Sequence, residues 1–184
     1  MEFHEILPAV RHIKDLEKLV ISKYTYIVLL DLHVGQLKSI MTLAKKHGKK
    51  VFLHLDLIHG LQSDSYGVEY VCQEFHPYGI LSTKANVIVK AKQKGVVAIQ
   101  RIFLIDSSSL TKSYTLLEKT KPDYIEVLPG LLSDIITEVK EHTGIPILAG
   151  GFIRSLQDVR QAIDAGATAV TTSNEKLWKE YIEN

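Results

Sequence analysis

"ILAGGFIRSLQDVRQAIDAGATAVTTSN", residues 147–174, contains two short apolar runs, one on each side of a stretch with helical periodicity. Two glycines, Gly150 and Gly151, end the first run, and two hydroxyl residues, Thr172 and Ser173, end the second. An apolar strand, an amphipathic helix and a second apolar strand form the unit from which parallel α/β folds are built. The stretch therefore predicts one such βαβ unit.

The same pattern recurs along the whole chain. Eight short runs rich in β-branched and aliphatic residues are the predicted strands, at residues 6–10, 26–31, 50–56, 78–83, 96–102, 124–129, 146–150 and 169–173. Amphipathic stretches follow them, for example at residues 35–48, 109–120, 131–144 and 155–166. Because eight parallel strands joined by right-handed crossovers can close on themselves, we predict a compact (β/α)8 barrel of the TIM type in a single domain, residues 1–184. An open doubly wound sheet is the alternative, because the chain is short for a barrel.

Composition limits the classes of partner. The formal net charge is +1, so any surface for nucleic acid must be a local patch. Cys72 is the single cysteine and cannot form an intramolecular disulfide. The amino terminus lacks the basic-then-apolar pattern of a signal peptide, and no apolar run approaches the roughly 20 residues that span a bilayer. These features predict a cytoplasmic protein without a membrane partner.

The quoted stretch also predicts a phosphate site. Ligands of TIM barrels bind at the carboxyl ends of the strands, and a phosphate often lies on the loops after strands 7 and 8. Gly150 and Gly151 would let backbone N–H groups approach an anion, while Thr172 and Ser173 would add hydroxyl donors beside the start of the last helix. The alternative is a tight turn and a helix cap without a ligand.

Alternation along the strands places polar side chains in the lumen. In "KVFLHLD" (50–56) every second residue is apolar and suited to face the helices, which turns His54 and Asp56 inward. The same reasoning turns Glu126 of "YIEVLPG" (124–130) inward. Four further charged residues lie at the predicted strand ends: Arg11, Asp31, Lys84 and Arg101. Together they predict a pocket for a small polar phosphorylated metabolite, and an internal ion network without chemistry is the alternative.

Signals for metals and cofactors are weak. His54, Asp56 and His59 have donor types that suit a metal, but their spacing is more typical of hydrogen bonding, so no metal is predicted. The sequence contains no GxGxxG fingerprint, no P-loop and no nucleophile elbow, and we predict no cofactor.

Six segments together resemble the glycerol uptake operon antiterminator regulatory proteins. They are "DLHVGQ" (31–36), "HLDLIHGL" (54–61), "YGILSTK" (78–84), "AIQRIFLIDS" (98–107), "YIEVLPG" (124–130) and "PILAGGFI" (146–153). The resemblance implies a barrel that senses glycerol 3-phosphate and, when loaded, binds the mRNA leader of glycerol-catabolic genes and prevents formation of a terminator. It also implies a phosphate cradle at Gly150, Gly151, Thr172 and Ser173, and glycerol-facing groups at His54, Asp56 and Glu126.

Two classes of function therefore compete. Barrels with inward carboxylates are usually catalysts, so the residues alone favour an enzyme such as an aldolase, isomerase or phosphodiesterase acting on a small phosphorylated polyol or sugar. The resemblance favours a regulator without catalytic activity, in which the same donors and acceptors only bind the ligand.

The resemblance does not identify an RNA-binding surface. Arg11, near the ligand face, is one candidate, and Lys49 and Lys50, in the lysine-rich turn before strand 3, are the other. We expect RNA on the ligand face, since sensing and readout on the same loops need no long-range coupling. Formation of a homodimer would double a patch of this kind.

Overall fold

A computed structural model describes residues 3–183. The strands of the barrel are β1 (Ile6–Val10), β2 (Tyr26–Leu29), β3 (Lys50–His54), β4 (Gly79–Ser82), β5 (Val97–Phe103), β6 (Tyr124–Leu128), β7 (Ile147–Gly150) and β8 (Ala169–Thr172). The helices are α1 (Ile13–Val20), α2 (Val34–Lys46), α3 (Ser65–Glu74), α4 (Ala85–Gln93), α5 (Ser107–Thr120), α6 (Ser133–Thr143), α7 (Leu156–Asp164) and α8 (Glu175–Glu183).

All neighbouring strands pair in parallel, and β8 pairs with β1, so the sheet closes in the order β1-β8-β7-β6-β5-β4-β3-β2. The predicted TIM-type barrel is confirmed, and the open doubly wound sheet is wrong. Among the helices that the structure describes, none has an apolar run sufficient to span a bilayer.

Strand alternation divides the core into two layers. Inside the barrel lie the buried side chains of Leu7, Ala9, Tyr26, Val28, Leu30, Phe52, Leu81, Ile99, Leu148 and Ala169. A larger layer between strands and helices contains the residues that alternate with them, for example Leu53 and Val127. In β6, Glu126 therefore points into the lumen, as the alternation predicts.

Aromatic rings fill the amino-terminal end of the lumen. Tyr26, Phe52 and Tyr78 pack with ring centroids 5.4 to 6.1 Å apart, and Phe3 lies 4.9 Å from Tyr26 and 5.4 Å from Tyr124. Edge-to-face packing of this kind fills space densely. A ligand can therefore enter the lumen from the carboxyl end.

Two predicted strands end earlier than the sequence indicates. β3 stops at His54, and a 3-10 helix covers Leu55–Leu57. β2 stops at Leu29, and Asp31 adopts a left-handed φ of 55°, which no strand accommodates. Beyond these ends, Leu32–His33 and Ile58–His59 pair as a separate short parallel sheet. The alternation argument consequently fails at Asp56, which lies in the 3-10 helix.

Candidate functional site

A cavity of about 280 Å³ opens at the carboxyl end of the barrel. Its lining comes from the ends of β1, β2, β5 and β6 and from the loops after β7 and β8. The residues that line it are Ala9, Arg11, Val28, Leu30, Arg101, Glu126, Leu128, Gly151, Phe152, Ile153, Thr171, Thr172, Ser173 and Asn174. The structure thus brings together six of the predicted residues: Arg11, Arg101, Glu126, Gly151, Thr172 and Ser173.

An ion pair forms the polar wall of this cavity. Arg101 Nε donates to Glu126 Oε2 at 2.5 Å, and Thr171 Oγ1 donates to Glu126 Oε1 at 2.6 Å. Glu126 is almost fully buried, so both bonds are needed to offset the loss of its hydration. Within residues 3–183, Arg101 bonds this carboxylate through Nε, which leaves the terminal amino groups of its guanidinium for a ligand.

Gly150 makes room for this carboxylate. A Cβ at Gly150 would lie 2.5 Å from Thr171 Oγ1 and 3.1 Å from Glu126 Oε1. Gly150 is not among the cavity-lining residues, in contrast to Gly151. The structure therefore explains Gly150 by the space that the Glu126 carboxylate requires, whereas the sequence suggested direct approach to an anion.

The loop after β7 presents unused backbone donors. Gly151 and Phe152 are left-handed, with φ of 80° and 60°. Within the part of the chain that the structure describes, no protein acceptor meets the N–H of residues 151–153, whereas those of Arg154 and Ser155 donate to Asp158 Oδ2 at 2.8 and 2.9 Å. Successive unpaired N–H groups of this kind form an anion-binding concavity.

Gly130 holds this loop in place, although no role for it was predicted from the sequence. Its N–H donates to Gly150 O at 2.6 Å, and a Cβ on Gly130 would lie 2.7 Å from Gly150 N. The "LPG" at residues 128–130 was the available signal, because a glycine beside a strand end often marks close backbone approach.

The loop after β8 combines a helix cap with an exposed hydroxyl. Asn174 Oδ1 accepts from Leu177 N at 3.4 Å, and Thr172 Oγ1 accepts from Asn174 N at 3.2 Å. Ser173 is exposed beside the cavity and has no side-chain bond to the described residues. The predicted cap is therefore present, and the Ser173 hydroxyl and the amino-terminal end of α8 still face the cavity.

Asp31 fixes Arg11 at the mouth. Asp31 Oδ2 lies 3.6 Å from Arg11 Nη1, and Asp31 Oδ1 lies 2.7 Å from His59 Nε2. The hydrogen bond with His59, supported by Arg11, lowers the pKa of the Asp31 carboxyl. Asp31 itself does not line the cavity, so it positions a cation there.

Asp56 and Lys84 serve the neighbouring loops. Asp56 accepts from Ser63 Oγ and Ser82 Oγ, each at 2.5 Å, and from Thr83 N and Oγ1 at 2.7 and 2.8 Å. Burial opposes ionisation of Asp56, yet these bonds outweigh it and lower its pKa. Lys84 Nζ donates to Ser63 O at 3.1 Å. Both residues lie outside the cavity lining, so their predicted contact with a ligand stays a prediction.

His54 is buried in the lumen, and neither ring nitrogen has a hydrogen-bond partner among residues 3–183. Burial and, next, the positive charge of Arg101 lower its pKa to about 4. The ring is therefore neutral at pH 7. It interacts electrostatically with Arg101, which disfavours its protonation, and with Glu126, which favours it. It lies outside the cavity lining, so its predicted contact with a ligand stays a prediction.

Acid should destabilise the protein through His54. In the unfolded chain the imidazole takes up a proton near pH 6.5, whereas the folded protein resists this down to about pH 4. Stability is therefore full above pH 6.5 and falls by about 3 kcal/mol as the pH drops toward 4. We expect His54→Leu to remove most of this fall, as measured by urea denaturation from pH 7 to pH 4.

The exposed His47 provides the matched control. His47→Gln should keep the acid sensitivity of the wild type. If His54→Leu also kept it, the assignment of this sensitivity to His54 would be wrong.

Lys49 and Lys50 lie at the opposite end of the barrel. Lys49 Nζ donates to Ser22 O and Tyr24 O, both at 2.7 Å, and burial lowers its pKa. Lys50 is exposed, and its Nζ lies 5.0 Å from the ring centroid of Tyr78. Of the predicted RNA contacts, Lys49 is thus engaged with the backbone, while Lys50 has no carboxylate partner in residues 3–183.

An apolar rim, which the sequence did not predict, surrounds part of the mouth. Phe103 ends β5 and Ile105 follows it, Leu131 and Leu132 follow β6, and Phe152 follows β7; all five are exposed. Their positions just after predicted strands were the available signal. Across the described residues, no group of three or more His, Cys, Asp or Glu side chains could hold a metal ion.

Comparisons with known proteins agree with this architecture. A family model described as "Glycerol-3-phosphate responsive antiterminator" matches residues 6–178. The structure of a glycerol uptake operon antiterminator regulatory protein from Listeria monocytogenes is 44% identical, with a TM-score of 0.94, and the match covers 97% of this chain and 99% of that one. A glycerol uptake operon antiterminator-related protein from Thermotoga maritima is 25% identical, with a TM-score of 0.85 and coverage of 96% and 99%.

The chain is also similar to one further relative and, in fold, to aldolases. The uncharacterized protein YgcP of Escherichia coli (strain K12) is 30% identical over 173 residues, which are 94% of this chain and 91% of YgcP. Aldolase structures match at 12% to 18% identity, which shows a shared fold alone.

Proposed function

The chain belongs to the glycerol-3-phosphate responsive antiterminator family, and we propose that it binds glycerol 3-phosphate in the cavity at the carboxyl end of the barrel. In its loaded state it binds the leader of an mRNA for glycerol catabolism and prevents termination of transcription. The effector needs no cofactor, and the protein acts in the cytoplasm, where the leader is transcribed.

One observation carries the proposal: a single cavity is lined both by a loop with unused N–H donors and by a buried ion pair. The N–H groups of residues 151–153 and the Ser173 hydroxyl offer donors alone, which suits a phosphate. Arg101 and Glu126 offer donors and acceptors side by side, which suits hydroxyl groups.

Charge determines the orientation of the ligand. A phosphate monoester carries about −1.5 to −2 charges at pH 7, so the Glu126 carboxylate repels it. The start of α8, beside Ser173 and Asn174, favours an anion at the loop end of the cavity. The phosphate therefore lies on the β7 and β8 loops, and the glyceryl group points toward Arg101 and Glu126.

Calorimetry tests this division of the cavity. Glycerol 3-phosphate should bind more tightly than inorganic phosphate, and glycerol alone should bind least, because each fragment uses one half of the site. Equal affinity for glycerol 3-phosphate and inorganic phosphate would contradict the proposal that Arg101 and Glu126 bind the glyceryl hydroxyls.

A regulator without catalysis fits the cavity better than an aldolase does. Among the described residues, no lysine side chain lines the cavity, so no amine is placed there to form a Schiff base with a carbonyl substrate. Glu126, the carboxylate that could act as an acid or a base, is held by Arg101 and Thr171. An isomerase or phosphodiesterase stays the alternative, and it requires that Glu126 transfer a proton.

Glu126→Gln separates binding from catalysis. The amide keeps the shape and part of the hydrogen bonding but loses the charge, so affinity for glycerol 3-phosphate should fall about tenfold. Neither the variant nor the wild type should convert glycerol 3-phosphate or a glycerophosphodiester, as followed by mass spectrometry. Product formed by the wild type and not by Glu126→Gln would favour the enzyme.

The homodimer stays a prediction. A sedimentation measurement with and without glycerol 3-phosphate tests it directly, and a single monomeric species under both conditions would exclude it.

A further inference from the structure

A second cavity, of about 570 Å³, lies at the opposite, amino-terminal end of the barrel. The end of α2, the start of β3 and the segment after α3 surround it. Lys45 and Lys50 lie on its polar side, and Phe75 and Tyr78 form part of its apolar side. The cavity therefore combines cations with aromatic rings.

The lysines in and beside this cavity lack acidic partners; Lys45 and Lys50 line it, and Lys46 follows Lys45 at the end of α2. Among the described residues, no carboxylate lies within 4 Å of the ammonium groups of Lys45, Lys46 or Lys50. By contrast, the lysines of the neighbouring α4 turn are all paired, with Lys90 and Lys94 on Glu69 at 3.3 and 2.6 Å and Lys92 on Asp123 at 2.8 Å. Around this cavity, the lysines at the end of α2 and the start of β3 therefore lack a carboxylate partner, whereas the lysines of the α4 turn have one.

The mouth of the ligand cavity has less uncompensated positive charge for a polyanion to bind. Its two arginines both face carboxylates, Arg101 on Glu126 and Arg11 on Asp31. The exposed side chains nearby form the apolar rim of the mouth. The charge distribution therefore favours the amino-terminal face for RNA, whereas the sequence led us to expect RNA on the ligand face.

The aromatic side of the cavity suits an unstacked base. Lys50 Nζ lies 5.1 and 5.0 Å from the ring centroids of Tyr26 and Tyr78, so the cation and the rings form one surface. Phe75 and Tyr78 are half-buried, and both line the cavity. Proteins that bind single strands combine stacking on aromatic rings with lysine contacts to phosphates.

We propose that this amino-terminal cavity binds single-stranded RNA, with one base against Phe75 and Tyr78 and the adjacent phosphates on Lys45, Lys46 and Lys50. The inference rests on the proposed function, because it identifies where the leader binds. Sensing and readout then lie at opposite ends of the barrel. Strand β2 reaches both sites, since Val28 lines the ligand cavity and Tyr26 contacts Lys50.

Fluorescence anisotropy with the leader RNA and saturating glycerol 3-phosphate tests the proposal. Lys45→Glu with Lys46→Glu should weaken RNA binding at least about tenfold and reduce the salt dependence by about 0.7 per lost phosphate contact. The control is Lys112→Glu with Lys119→Glu, which changes the net charge equally on exposed positions of α5. The control should bind RNA nearly as the wild type does, and both double variants should retain their affinity for glycerol 3-phosphate.

Other outcomes would overturn the proposal. Equal losses in the two double variants would show a general charge effect, and a loss confined to Arg11→Glu would place RNA at the ligand mouth. A wild type that binds glycerol 3-phosphate but no leader RNA would overturn both this inference and the readout part of the proposed function. A wild type that binds RNA through Lys45 and Lys46 but never binds glycerol 3-phosphate would overturn the sensing part alone.

Photo-crosslinking with 4-thiouridine in the leader locates the base independently of charge. The crosslinked peptide should contain Phe75 or Tyr78. Crosslinks confined to peptides with Phe103 or Phe152 would contradict the proposed position.

Discussion

Gly151→Asp is expected to weaken binding of glycerol 3-phosphate at least about 100-fold, which corresponds to about 3 kcal/mol. The new Cβ fits, because its nearest contact would be Leu128 Cδ2 at 3.5 Å. The carboxylate, however, enters the loop whose free N–H groups would bind the phosphate, and it repels the anion. Isothermal titration calorimetry measures the loss.

Backbone strain at Gly151 requires a matched control. Its φ is +80°, a conformation that costs an L-residue about 1–2 kcal/mol. Gly48 has a φ of +67°, a Cβ there would meet no atom within 4 Å, and the residue lies far from the cavity, at the end of α2. Gly48→Asp should lose similar stability and keep full affinity. Full affinity in Gly151→Asp as well would remove the phosphate from this loop.

The second large effect concerns stability. Gly150→Ala places a methyl group 2.5 Å from Thr171 Oγ1 and 3.1 Å from Glu126 Oε1, so the Thr171 hydroxyl must shift and its hydrogen bond to the Glu126 carboxylate is weakened. Overpacking and weakened pairing of a buried charge should together cost about 2–4 kcal/mol. The midpoint of thermal unfolding should fall by about 5–15 °C.

Gly35→Ala is the control for this substitution. Gly35 lies in the first turn of α2, where a Cβ meets only the His33 side chain, at 3.3 Å. The helix should tolerate alanine there without loss of stability. A Gly150→Ala protein as stable as Gly35→Ala would show that Gly150 does not make room for Glu126.

The barrel could be predicted because its sequence signals are local and repeat in every unit. Apolar alternation correctly turned Glu126 into the lumen, where it lines the cavity. Position in the order of strands was also enough to bring Gly151 and Ser173 to one cavity. Arg101 joined them because it lies near the carboxyl end of β5.

The features that the sequence did not predict have a common physical cause: they depend on contacts between residues far apart in the chain. Asp56 lies in a 3-10 helix and accepts hydrogen bonds from Ser82 and Thr83, and no pattern in the sequence around Asp56 predicts these bonds. Likewise, the need for glycine at residue 150 depends on Thr171 and Glu126, which lie on two other strands. Which lysines are paired depends on the packing of α3 against α4, so the sequence could not separate Lys45 from Lys90.

A crystal structure of the wild type with glycerol 3-phosphate would show how the cavity divides its ligand. We expect the phosphate on the N–H groups of residues 151–153 and the Ser173 hydroxyl, with the glyceryl hydroxyls on Arg101 and Glu126. A phosphate bound against Arg101, with the glyceryl group at the loops or outside the cavity, would contradict this assignment.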